Sequence, residues 1–90
     1  MTTSQKYPAS FNFDAAIDEC ISITQETDYK DLNVLTNHGS IIGEFVQKTE
    51  QVLVLRENTG ITHSKTGKEK VALSFIKFDA IIAISVYTLD

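Results

Sequence analysis

The apolar positions change their period once along the chain. From Phe13 they fall at Phe13, Ala16, Ile17, Cys20 and Ile21, spaced three, one, three and one, which is the stripe of an amphipathic helix. Asn12 or Asp14 can cap it, and Asp14, Asp18 and Glu19 lie off the stripe. After Ile21 the run Ile21-Ser22-Ile23-Thr24 alternates and is β-branched, so the pattern predicts a helix over 13–21 that stops or frays there. The remainder reads as strand. Leu32–Thr36, Ile41–Lys48, Gln51–Arg56, Val71–Ile76 and Ile81–Tyr87 are the five predicted strands. Asn37-His38-Gly39 and Thr49-Glu50 are tight turns, 57–69 is one long polar loop or hairpin tip, and Asp79–Ile81 is a short passage. Five strands with short connections in about 60 residues predict a strongly bent, partly closed antiparallel barrel that buries one face. Gly43, inside the second strand, marks the place where such a sheet would coil.

With 90 residues the chain makes one domain, read as 11–90, preceded by a loose terminus over 1–10. Hydrophobic residues at 42% and charged residues at 22% are globular proportions. Charge sharpens the picture. Residues 1–35 set Lys6 and Lys30 against Asp14, Asp18, Glu19, Glu26, Asp28 and Asp31, a balance of −4, whereas 36–90 are neutral. A net charge of −4 argues against a protein that coats nucleic acid through bulk positive charge. One cysteine excludes an internal disulfide and a Cys-rich zinc site, and its place on the apolar stripe predicts an inert thiol. No apolar run approaches the roughly 20 residues of a membrane span, and no export signal is read at the N-terminus, so a cytoplasmic location and no membrane partner are expected.

The order of a short helix and five strands, with the long loop between the third and fourth, resembles the Sm-like family. Leu35-Thr36-Asn37-His38-Gly39-Ser40-Ile41-Ile42-Gly43-Glu44-Phe45 is similar to the first Sm motif, and Ile76-Lys77-Phe78-Asp79-Ala80-Ile81-Ile82-Ala83-Ile84 to the second. Thr49 and Leu53 stand where the first motif has Asp and Asn. Lys77 and Phe78 stand where the second has Arg and Gly. The resemblance spans roughly 13–87 and implies a divergent Sm-like member: an SH3-type open barrel that forms homo-oligomeric rings of five to eight subunits. In such rings the fourth strand of one subunit pairs with the fifth of the next, and many bind single-stranded RNA through the central opening.

The residues also support self-association directly. The fourth and fifth strands are the most apolar stretches and carry no Pro and no charge between their ends, so as edges they are unprotected. Val71, Leu73, Phe75, Ile82, Ile84 and Val86 are the expected oligomer interface.

For RNA, Lys77 is the leading candidate. As the link between the last two strands it would place one ammonium per subunit at the opening, holding phosphate without reading bases. The bland alternative is a surface lysine weakly paired with Asp79. His38 and Asn37 could contact a base from the first turn, and Phe78 could stack on one or simply pack. The loop ending Thr66-Gly67-Lys68 lacks the phosphate-loop spacing and does not open a helix, and residues 56–70 carry only +2. No Ser, Cys or His constellation and no metal-ligand spacing is found, so no enzyme, no metal and no cofactor are expected. Two functions remain open: a ring that binds single-stranded RNA with low sequence specificity, and a protein-interaction or assembly scaffold whose acidic helix face, Asp14, Asp18 and Glu19, meets a protein.

Overall fold

The computed structural model describes residues 7–88; most of the terminus expected to be loose lies outside them. Helix α1 covers Phe13–Glu26. It is followed by β1 (Asp31–Thr36), β2 (Gly39–Lys48), β3 (Val52–Thr62), β4 (Glu69–Lys77), a single 3₁₀ turn (Phe78–Ala80) and β5 (Ile81–Val86).

Asn12 is the N-cap, its side-chain oxygen accepting the Ala15 amide at 2.8 Å. The helix outruns its expected end by five residues, because packing overrides the poor propensity of Ile23 and Thr24. Thr24 is buried, donates its hydroxyl to the Ile21 carbonyl at 2.7 Å, and offers its own carbonyl to Lys30 Nζ at 2.8 Å. These two bonds tie the last turn to the folded chain. The backbone leaves the helix at Thr27 in an extended conformation.

The five strands form one antiparallel sheet in the order β4-β3-β2-β1-β5. One face carries Leu32, Val34, Leu53, Leu55 and Ile76, and α1 lays Ile17 and Ile21 on it; these seven residues are the buried core cluster. Ile41, Phe45, Ile81, Ile84 and Val86 pack around them. The largest fully buried side chains are all Leu, Val or Ile. Burying a side chain of this size is worth about 1.5–3 kcal/mol, so this small layer holds most of the stability.

The strongly bent, barrel-like sheet expected from the strand count is not what forms. The sheet is neither closed nor strongly curled, and β4 and β5 are its two separate edges. Closure would require hydrogen bonds between these strands. Instead the 3₁₀ turn passes the chain from one edge to the other: Phe78 N donates to Gln51 O at 3.0 Å, and Ile81 takes up its place opposite Thr36. The apolar face is covered by α1, so the sheet need not curl on itself to bury it.

Gly43 has a corresponding explanation. A Cβ there would stand 2.8 Å from the Arg56 carbonyl oxygen and 3.2 Å from Leu55 Cβ, so the glycine permits β2 and β3 to approach closely.

The segment 57–69, expected as a long loop or hairpin tip, forms a hairpin and is mostly strand. β3 runs on to Thr62 and re-pairs at Glu69 across a register shift. Thr59 Oγ1 donates to Lys70 O at 2.8 Å, and Gly60 N to a Glu69 carboxylate oxygen at 3.0 Å. The result is an exposed polar hairpin arm on a body whose longest dimension is 60 Å. Having no buried face, the arm shows none of the apolar alternation by which a strand is read from sequence.

Candidate functional site: an open strand edge and the Lys77 turn

β4 is the edge strand whose chemistry is most exposed, and its ladder phase can be derived. Gln51 and Phe78 continue the β3–β4 register, and the Phe78 amide bonds to Gln51. In an antiparallel ladder bonded pairs alternate with non-bonded pairs. Leu53–Ile76 and Leu55–Ser74 are therefore bonded pairs, whereas Val54–Phe75, Arg56–Leu73 and Asn58–Val71 are not. The N–H and C=O groups of Val71, Leu73 and Phe75 consequently point to the open edge. Their side chains project from the sheet face opposite α1 and are 40%, 54% and 68% exposed. Val54, on that same face, is buried beside its close cross-strand neighbour Phe75. No Pro, bulge or charge interrupts β4 between Lys70 and Lys77.

β5, the other edge, differs. Ile82 is 55% exposed, while Ile84 and Val86 are half-buried against the core and sit opposite Val34 and Leu32 of β1. The six expected interface residues thus divide, with four exposed and two turned toward the core.

Lys77 ends β4 opposite Val52 and is exposed. A shallow cleft of about 240 Å³ beside it is lined by Glu50, Gln51, Phe78 and Asp79 as well as Lys77, so two carboxylates share the site with one ammonium. An adjoining open cleft of about 590 Å³ is lined by Asp14, Lys48, Thr49, Glu50 and Phe78. Phe78 is half-buried against the core, with Lys48 Nζ 5.9 Å from its ring centroid. Asn37 and His38 form the β1–β2 turn; His38 N donates to Thr36 Oγ1 at 3.1 Å, and Gly39 takes φ 120°. Neither lines the clefts at Lys77 and Phe78.

Lys48 was not legible as a site residue. From the end of β2 it reaches Asp18 at 2.5 Å and Asp14 at 3.4 Å, two carboxylates one helical turn apart. The Asp18 hydrogen bond holds the ammonium above the usual lysine range; desolvation opposes it, and the Asp14 hydrogen bond and the charges of both carboxylates add to it. The partners are 30 and 34 residues away in the chain, so no local signal marks the triad. It also ties two of the three acids of the helix face to the sheet.

Cys20 lies half-buried beside the core, and burial, then the neighbouring Glu19 charge, push its thiol up. We expect native protein at pH 8 to react with a disulfide reagent at least about tenfold more slowly than the chain in denaturant, followed by the released thiolate chromophore. Equal rates would show the thiol to be accessible and ionised. Among the described residues no group of three or more His, Cys, Asp and Glu side chains is placed to hold a metal ion, and no helix is long and apolar enough to cross a membrane. No family model, no curated protein and no solved structure matches this chain.

Proposed function

We propose that this chain is an assembly module whose copies add edge to edge, the free side of β4 in one copy receiving β5 of the next. The observation that carries this reading is the free side of β4. It offers outward backbone groups at Val71, Leu73 and Phe75, exposed apolar side chains on the same residues, and no gatekeeping charge between them. Because the two edges are unlike, the contact is head-to-tail, and it either closes into a ring or continues as a filament. The scaffold reading is preferred to RNA binding because the ammonium of Lys77 shares its cleft with Glu50 and Asp79, and the nearby Lys48 is already engaged by two carboxylates.

Light scattering on the eluting protein at micromolar concentration tests this. Assemblies of more than two chains are expected; a stable 10.0 kDa monomer overturns the reading. Fluorescence anisotropy with oligo-U and oligo-A tests the rival. Binding that weakens equally for both oligomers in Lys77→Ala, with a reduced salt slope, would favour the RNA function instead.

A further inference from the structure

The sheet face turned away from α1 has its own pattern. Strand registers align Asp31 of β1, Glu44 of β2, Arg56 of β3 and Leu73 of β4 in one cross-strand row. The row reads acid, acid, base, apolar. Asp31, Glu44 and Arg56 are exposed and form no ion pair among the described residues, although Glu44 and Arg56 are directly opposite in register. Besides the buried Val54 and the exposed Val71, this face carries exposed apolar side chains toward each of its two sides. Leu73 and Phe75 lie beyond Arg56, and Leu35 and Ile42 lie with the acids, at 42% and 46% exposure.

A face of this kind is complementary to itself. Let a second copy be placed against it by a two-fold axis lying between the two sheets, parallel to their planes, over the β2–β3 boundary and oblique to the strands. The acidic side of each copy then meets the basic side of the other, and one apolar group meets the other. A purely basic or purely acidic partner would satisfy only half of the face. We propose that this face is a two-fold interface between two copies of the chain. Arg56 of each copy lies against Glu44 of the other, with Asp31 one strand further on, and Leu73 and Phe75 lie toward Ile42 and Leu35. The contact is isologous, with the two sheets packed face to face as in a sandwich. It is distinct from edge addition, whose hydrogen bonds use the lateral backbone groups of β4, although both contacts draw on the exposed side chains of Leu73 and Phe75.

Sedimentation velocity in low salt provides the test, on wild type, on Arg56→Glu, and on a charge-swapped chain that adds Asp31→Lys and Glu44→Lys to Arg56→Glu. Wild type should contain an even number of chains, and a bare dimer would support this contact while removing edge addition. Arg56→Glu sets like charges opposite one another across the interface and should weaken the pairing by about tenfold or more, halving the observed mass. The swapped chain restores opposite charges and should recover the wild-type mass. High salt should halve the wild-type mass as well, since exposed ion pairs are screened. Circular dichroism on each variant reports whether the fold is kept; Arg56 is exposed and outside the core, so it should be. An Arg56→Glu chain with wild-type mass overturns the proposal. So does a well-folded swapped chain that stays at half mass, or a wild type that is monomeric in low salt.

Discussion

Proline at two adjacent positions of β4 should have opposite consequences. Ser74→Pro is expected to lower stability by about 3 kcal/mol or more, because the Ser74 amide belongs to a bonded pair with Leu55 and a ring nitrogen cannot donate. Leu73→Pro is expected to leave the fold largely intact, because the Leu73 amide points away from β3 and proline is tolerated on an edge strand with its nitrogen facing out. The same substitution removes a donor that an incoming strand would use, so assembly by edge addition should fail while the fold persists. The ladder phase therefore places the assembly-blocking proline at Leu73 and not at Ser74. Thermal melts and particle mass on both variants are the measurements. A Leu73→Pro chain that unfolds while Ser74→Pro melts like wild type would reverse the assigned phase. A folded Leu73→Pro chain that still assembles beyond a dimer would remove β4 as the interface.

Gly43→Ala should also be costly, although alanine is normally a mild replacement. The added methyl would meet the Arg56 carbonyl oxygen at 2.8 Å and carbonyl carbon at 3.0 Å, and both are backbone atoms that no rotamer change can move. β2 and β3 must separate locally, next to Leu55, which is 1% exposed. Overpacking of this kind costs about 1–3 kcal/mol, and in a domain this size each kcal/mol lowers the melting temperature by roughly 4–8 °C. Gly60→Ala is the informative comparison. Gly60 has φ 74°, but a Cβ added there would find nothing within 4 Å, so its cost is backbone strain alone, about 1 kcal/mol. If Gly43→Ala melts no lower than Gly60→Ala, the close approach of the two strands is not limiting.

Much of the secondary structure is legible because its signals are local. The stripe from Phe13 to Ile21 marks α1, and the turn residues Asn37-His38-Gly39 and Thr49-Glu50 bracket β2. Leu32, Val34, Leu53, Leu55 and Ile76 occupy the buried phase of their strands, as alternation requires. The last helical turn was not legible, since Thr24 is helical only because its hydroxyl and carbonyl find Ile21 and Lys30 in the folded chain. The arm over 57–69 was legible as a loop or hairpin tip, but the extent of its strands was not, since strands without a buried face carry no apolar period.

The candidate sites divide along the same line. The exposed apolar run Val71, Leu73, Phe75 could be picked out from sequence as a bare edge, because an uncharged β-branched and aromatic stretch without proline is a local property. Lys77 could be singled out as a lone cation between apolar residues, yet its carboxylate surroundings depend on Glu50, brought alongside by the β3–β4 pairing.

Local periodicity and turn chemistry therefore determined the start of the helix and the existence and order of the five strands, because each is set by neighbours within a few residues. Tertiary structure alone decided that the sheet stays open, that Gly43 serves a close contact, which β4 amides face outward, and that Lys48 joins Asp14 to Asp18. Each of these depends on strand register or on partners distant in the chain, and a one-residue shift in register would reverse it without changing the composition of any segment.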